Sequence, residues 1–425
     1  MTNPAIQLGW HLRTPDNPKV IDIPTPDIAY HTAILAQSGS GKSFLLGRLI
    51  EEILLKTKSR VLVLDPNSDF LRVHASSSEP WQTSKSTSWP RLMRDDHQTR
   101  SAFISDWKAV MPVTRLGGNG RCRIHWETLL PIDQAALVGI DPVAEAAAYA
   151  LLASLDDEFF QAYVEDDGPG HFYTPQLVRE AVARRRRGAP EHDPLAVDGD
   201  AADRLWAALR MVEDWKEVWA QKEGDPSVRA RVQSGRWRLA VVDMPSITEE
   251  RARLVIALQV LDALWERTQV EWKDAVKRSP DTRVPTFVVL DEAHHFAPDR
   301  PADALAERVS ERVRRIAAEG RKYGLFLILA TQRPPKVAPG LLAECENVAL
   351  LRMQSTVDHH TAADTWGVPI EEIARTRHFG KGDGLLFGRW VPSATAFHSA
   401  FRRSMQGGSD LDKDYWARPL ISEKL

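Results

Sequence analysis

Residues 36–43 read Ala36-Gln37-Ser38-Gly39-Ser40-Gly41-Lys42-Ser43, between the apolar run His31 to Leu35 and the helix-like stretch Phe44 to Leu55. A strand, a glycine-rich loop and a helix in this order are the setting in which such a loop cradles phosphate. Small residues let successive backbone N–H groups curl around a polyphosphate, and the helix beginning beside Lys42 adds the positive end of its dipole. Ser38, Gly39, Ser40, Gly41, Lys42, Ser43 and Phe44 are therefore the candidate nucleotide-binding residues. Lys42 would reach the β- and γ-phosphates of ATP and the Ser43 hydroxyl would hold Mg²⁺. The usual first glycine is Ala36, which requires a negative φ there. The bland alternative is a Gly-Ser-Gly turn without a ligand, which the flanking strand and helix disfavour.

Four further apolar runs end in polar residues at the same kind of boundary. Arg60 to Asp65 reads as a strand buried on both faces, followed by Pro66-Asn67-Ser68-Asp69, which places Asp65 and Asp69 at the carboxyl edge of a sheet. Arg238 to Asp243 is a second such run, followed by the long helical stretch Thr248 to Lys277 with Leu254, Leu258, Leu261 and Leu264 at helical spacing. Thr286 to Leu290 runs into Asp291-Glu292-Ala293-His294, and Leu325 to Ala330 into Thr331-Gln332-Arg333-Pro334. Strands alternating with helices predict an α/β fold with a mainly parallel sheet covered on both faces. An aspartate ending a hydrophobic strand, here Asp291, can complete a Mg²⁺ shell, and the adjacent Glu292 can polarise a water for attack on the γ-phosphate. The alternative is a pair of helix-capping carboxylates at a strand-to-helix turn. His294 and His295 face different directions at adjacent positions, so they suit a structural or sensing role better than a metal site.

Composition bounds the rest. The chain has 425 residues, 43% hydrophobic and 27% charged, with a formal net charge of −3. That is a globular composition with no global attraction to nucleic acid, so any DNA contact must rest on locally gathered cations. No apolar stretch approaches the roughly 18 residues of a membrane helix, and no secretory signal opens the sequence. The two cysteines, Cys122 and Cys345, are far apart. They read as free thiols in a reducing cytoplasm, with no zinc site.

Together the motifs resemble a known family. Ala36 to Ser43, Leu64-Asp65-Pro66-Asn67-Ser68-Asp69-Phe70, Val289 to Pro298, Glu319-Gly320-Arg321-Lys322-Tyr323-Gly324 and Ala330-Thr331-Gln332-Arg333-Pro334 look like the HerA branch of the HerA/FtsK P-loop ATPases. The segments Gly382 to Gly388 and Thr395 to Arg402 are similar to the closing strands of that family. The resemblance implies a RecA-like core over 31–74 and 236–404, interrupted by a helical insertion over 75–235, with a short segment 1–30 ahead and a tail 405–425. It implies a homo-oligomeric, usually hexameric ring that hydrolyses ATP between subunits and moves double-stranded DNA. It also implies a separate nuclease or effector protein as partner, as in bacterial antiphage systems. Arg321 matches the arginine finger supplied to a neighbour, with Arg315 as a fallback, and Gln332 matches the polar sensor. The catalytic set is thus Lys42, Glu292, Arg321 and Gln332, with Ser43 and Asp291 holding Mg²⁺. A superfamily 2 helicase is disfavoured because only one set of nucleotide motifs is present. A nucleotide-gated scaffold that activates an effector, with little translocation of its own, stays open.

Other stretches carry less. Family members usually carry a β-barrel ahead of the P-loop strand, whereas residues 1–30, rich in proline, suffice for one or two edge strands. Within the insertion of about 160 residues, Pro142 to Phe160, Pro175 to Arg187 and Ala201 to Gln221 read as helices, entered through the loop-like Ser76 to Pro90. Trp206, Trp215 and Trp219 suit helix packing better than base stacking, and Gly188 to Asp200 reads as a surface turn. The run Arg184 to Arg187 either touches DNA phosphates or forms a solvated helix end.

Overall fold

The computed structural model describes residues 5–12, 19–76, 100–110, 113–116, 123–165, 172–188, 198–277 and 281–407. Among these residues, eleven strands form one sheet: β1 Ile6–His11, β2 Val20–Ile23, β3 Thr32–Leu35, β4 Arg60–Asp65, β5 Val113–Leu116, β6 Leu239–Asp243, β7 Thr286–Asp291, β8 Leu325–Thr331, β9 Asn347–Leu351, β10 Asp383–Gly388 and β11 Thr395–Ser399. Their spatial order is β2-β1-β11-β10-β9-β3-β8-β7-β4-β6-β5. From β9 to β5 every pairing is parallel, whereas β10, β11, β1 and β2 add on in antiparallel fashion. The central strands β3, β7, β8 and β9 are buried at every position. That burial explains their continuous Val, Ile and Leu runs: both faces of a parallel sheet are covered by helices.

The helices are α1 Lys42–Lys56, α2 Arg100–Val110, α3 Pro131–Val138, α4 Ala146–Glu165, α5 Pro175–Gly188, α6 Gly199–Glu213, α7 Val228–Ser234, α8 Glu250–Ala275 and α9 Ala304–Tyr323, with the shorter α10 Pro339–Ala343, α11 Thr356–Trp366 and α12 Ile370–Ala374. Two apolar cores lie on opposite sides of the sheet. On one side Leu46, Leu49 and Ile53 of α1 meet Ile6 and Leu8 of β1 and Phe103 and Trp107 of α2. On the other, Leu258 and Leu261 of α8 and Val309 and Val313 of α9 meet apolar residues of α3, α5 and α6.

Residues 75–235 are mainly helical where described, yet they also supply β5, which pairs in parallel with β6 at the sheet edge. The insertion is joined to the core by charge as well. Buried Asp133 of α3 bridges Arg308 at 2.6 Å and Arg312 at 3.2 Å, both on α9. The helix expected through Gln221 ends at Glu213, because Trp219 folds back to donate its Nε1 proton to the Val212 carbonyl at 2.6 Å and packs edge-on to Trp126. In the arginine run, Arg185 bonds Ser154 at 2.9 Å and Arg186 pairs with Asp203 at 2.6 Å, so at least two of the four have protein partners. Cys345 is a buried free thiol; Cys122, residues 77–90 of the expected entry loop, most of the turn before Asp200 and the tail beyond 407 lie outside the described residues. Among the described residues no helix is long and apolar enough to cross a membrane, and no group of three or more His, Cys, Asp or Glu is placed to hold a metal.

Candidate active site

β3 delivers the glycine-rich loop to the carboxyl edge of the sheet. Ala36 donates to the Thr331 carbonyl and Gln37 to that of Arg352, tying the loop's start to the ends of β8 and β9. Ala36 is not among the residues with positive φ, so the missing glycine costs nothing. Gly39 and Gly41 do take positive φ, at 74° and 107°, and no atom lies within 4 Å of where a Gly39 side chain would begin. Ser40 is buried beneath the loop, its hydroxyl on the Gln37 carbonyl and its own carbonyl accepting from the Gly382 N–H at 2.9 Å. Lys42 and Ser43 open α1, where backbone N–H groups have no partners within a helix.

At the ends of β7 and β8 the acidic pair closes on the lysine. The Lys42 ammonium bonds Asp291 and lies 2.7 Å from Glu292, with all three side chains nearly inaccessible to solvent. Burial works against the ammonium, but the two carboxylates more than offset it and Lys42 titrates above its usual value. Burial also dominates at Asp291 and pushes its carboxyl up despite Lys42. For Glu292 the burial effect is outweighed by Lys42, and its carboxyl is held below the usual value. Glu292 sits at φ 50°, a strained conformation for a side chain of its size that recurs at functional sites. Its Oε2 accepts from the Gln332 backbone N–H at 3.2 Å and lies 3.4 Å from His294, whose pKa burial pulls to about 4. His294 is therefore a neutral neighbour of Glu292.

The turn after β4 forms a second acidic wall. Asp65 is buried and accepts backbone N–H groups of Asn67, Asp69 and Phe70, so it shapes the turn from inside. Burial raises its pKa to about 7, with the nearby Asp291 charge adding to the effect. Asp69 bonds the Ser43 hydroxyl, and Asn67 reaches Asp291 at 3.5 Å. The resulting cleft of about 760 Å³ is lined by Ser38, Gly39, Gly41, Lys42, Ser43, Phe44 and Gln332, all singled out in the sequence. It is also lined by residues that sequence reading missed: Lys381, His398, Phe401 and Gln406 reach it from the far end of the chain. No local pattern marks them, because they arrive by pairing of β10 and β11 into the sheet.

Arg321 is not in this cleft. It ends α9 at the opposite edge of the sheet, where its guanidinium pairs with Glu346 at 2.6 Å and lies 4.4 Å from the centre of the Tyr30 ring. The seven residues of β8 separate that edge from Gln332, roughly 20 Å at strand spacing. Arg315 rests on its own chain's Trp265 ring.

The donor set fits a magnesium nucleoside triphosphate. An open glycine cradle, unpaired helix-start N–H groups and a buried lysine face anionic oxygens, while the Ser43 hydroxyl and two carboxylates supply oxygen ligands for a hard cation. A model of the helicase HerA central domain matches residues 6–263. The chain belongs to the HerA family. A protein of Methanocaldococcus jannaschii named as a probable helicase is 22% identical over 416 residues, covering 96% of this chain and 73% of its own length. The DNA double-strand break repair helicase HerA of Pyrococcus furiosus is 22% identical over 427 residues, covering 92% and 68%. The solved structure of VirB4 from Thermoanaerobacter pseudethanolicus superposes with a TM-score of 0.62 at 16% identity, covering 93% of this chain and 96% of that one. This HerA-family chain is a P-loop ATPase with the mainly parallel sheet expected of the family.

Proposed function

We propose that this chain hydrolyses ATP at the interfaces of a homo-oligomeric ring, hexameric in form, and uses the turnover to move double-stranded DNA in the cytoplasm alongside a separate nuclease or effector protein. The observation that carries the reading is the separation of two half-sites: Lys42, Asp291 and Glu292 meet at one edge of the sheet, and the half-exposed Arg321 stands at the other. A cationic group that cannot reach its own cleft suits the cleft of a second copy. The name of the Pyrococcus furiosus relative supports DNA as the partner.

In this reading the N–H groups of Ser38 to Ser43 and the Lys42 ammonium bind the β- and γ-phosphates. Entry of the phosphates draws Lys42 away from Glu292, whose carboxylate is then free to accept a proton from the attacking water. Ser43 and Asp291 would hold Mg²⁺, which neutralises charge on the phosphate oxygens. The Gln332 backbone holds the Glu292 carboxylate, and its side chain, lining the cleft, senses the γ-phosphate. Arg321 of a neighbour stabilises the spread charge of the transition state, a contribution of about 10³ to 10⁵ in rate for such a group.

Two variants test it. Glu292→Gln should bind ATP normally and hydrolyse it at least about 100-fold more slowly; turnover at the wild-type rate removes Glu292 as the base. Arg321→Ala should lose turnover with little change in nucleotide affinity, and activity should return on mixing with Lys42→Ala, whose intact Arg321 completes the other's cleft. A strictly monomeric mass with ATP and Mg²⁺ present, together with full hydrolysis, overturns the shared site.

A further inference from the structure

Arg321 does not stand alone at its edge of the sheet. Glu346 precedes β9, and its second oxygen accepts from the Arg389 Nε at 3.1 Å, while the first accepts from Arg321 at 2.6 Å. Both guanidiniums lie against one face partner, Tyr30, with their centres 4.4 Å and 5.1 Å from its ring. The four residues come from four places in the chain: the residue before His31 and β3, the end of α9, the start of β9 and the turn after β10. All converge on the edge opposite the nucleotide cleft, because β10 runs antiparallel to β9 and pairs Gly388 with Asn347.

The backbone is shaped to hold this arrangement. Gly388 takes φ +91°, and a side chain there would begin 1.9 Å from the Glu346 carbonyl oxygen. Only glycine lets the β10 turn lie this close, and that contact sets Arg389 beside Glu346. Two permanent cations share the Glu346 carboxylate, with the Asp27 charge also acting on Arg389, and the side chains remain 48% and 58% exposed for the arginines and 35% for Glu346. Ion pairs this exposed are weak, so an anion of higher charge can replace Glu346 easily. Two planar guanidiniums gathered at one aromatic ring and one carboxylate match the several oxygens of a polyphosphate better than the two of a carboxylate.

We infer that Arg389 acts with Arg321 as a second guanidinium inserted into the nucleotide cleft of the adjacent protomer, and that Glu346 holds the pair in place until the neighbour's phosphates displace it. The inference rests on the shared-site reading above and extends it to a residue and a retaining carboxylate that the reading does not require. No covalent step is added; the exchange is of one anionic partner for another.

The test uses the full chain, steady-state phosphate release at varied ATP, a fluorescent ATP analogue for affinity, and native mass with ATP and Mg²⁺. Arg389→Ala should lower kcat at least tenfold with the oligomer intact, Arg389→Lys should recover part of the loss, and mixing Arg389→Ala with Lys42→Ala should restore turnover. Glu346→Gln should increase turnover at sub-saturating ATP at least twofold. Wild-type kcat in Arg389→Ala beside a lost kcat in Arg321→Ala overturns the inference and leaves the shared site standing. Wild-type kcat in both removes the shared site itself. Dissociation of the ring by Arg389→Ala makes the residue a structural contact and also overturns the inference, as does a Glu346→Gln loss as deep as that of Arg389→Ala.

Discussion

Lowering the pH should unlatch the arginine-bearing edge through a single buried imidazole. His31 is 2% exposed. Its Nδ1 accepts from the Leu327 N–H at 2.9 Å, which leaves the proton on Nε2, and Nε2 donates to the Ala317 carbonyl at 3.0 Å. A second proton would set an N–H against the Leu327 N–H. Burial, with the Arg321 charge acting in the same direction and Glu346 opposing it, pulls the pKa from 6.5 to about 4. The unfolded chain therefore takes up the proton first, so the stability contributed by neutral His31 is complete above pH 6.5 and is lost as the pH falls towards 4. Linkage between those two values removes about 2 kcal/mol at pH 5 and about 3 kcal/mol below pH 4. His31→Gln keeps a donor and an acceptor but does not titrate. Denaturant unfolding of both proteins at pH 7.5 and pH 5 should show the wild type losing about 2 kcal/mol more than the variant over that interval. The comparison cancels the carboxylates and other histidines common to both. Parallel losses in the two proteins would refute the assignment of His31 as a neutral, doubly bonded latch. Because Ala317 lies one turn before Arg321 on α9, the same acid step should loosen Arg321 before the core unfolds.

Two further outcomes follow from packing. Gly47→Ala places a methyl group 2.3 Å from the Arg402 side chain, which is 1% exposed; overpacking of this kind costs about 1–3 kcal/mol, and both the thermal midpoint and ATP affinity should fall, whereas an unchanged midpoint shows that Arg402 can step aside. Asp133→Ala removes the carboxylate that Arg308 and Arg312 share at the seam between the insertion and α9, leaving them only Glu311 and Asp262. The loss should be about 2–3 kcal/mol, below that of a fully buried pair because both arginines are partly solvated, and limited proteolysis should then cut within 123–234 first; equal cutting in the wild type would refute the seam's role.

The strands that end in functional residues were readable because each is a short aliphatic run that stops at a polar residue. Arg60 to Asp65 coincides with β4, and Thr286 to Leu290 falls one residue short of β7. β9 escaped notice: Asn347 to Leu351 is equally apolar but ends in no motif, and a five-residue apolar run does not distinguish strand from helix. β5 escaped for another reason, since Val113 to Leu116 is short and becomes a strand only by pairing with β6. At the site, the residues of the glycine-rich loop and the Asp291-Glu292 pair were visible as local strings. Lys381, His398 and Arg402 were not, because their place beside the loop is a product of long-range sheet order. Arg402 donates to the Ser43 carbonyl at 3.4 Å and to that of Asp69 at 3.1 Å, across more than 300 residues of sequence. Asp69 was recognised as an acidic turn residue, but its bond to the Ser43 hydroxyl depends on how α1 and the turn after β4 meet.

The antiparallel strands added beyond β9 are part of the site's construction. Gly382, just before β10, donates to the Ser40 carbonyl of the glycine-rich loop. Gly388, at the other end of the same six-residue strand, lies against Glu346 and sets the position of Arg389. β10 is hydrogen-bonded on both sides, to β9 and to β11, so it cannot stretch or slip without breaking two ladders. The far end of that strand leads into Arg389, whereas Arg321 of the same pair comes from α9. β8 makes a second such connection, from the edge where Arg321 stands to Thr331 beside the cleft residue Gln332. In the ring proposed above, the element that braces the phosphate loop also leads into Arg389, which gives one site a direct route to bias its neighbour.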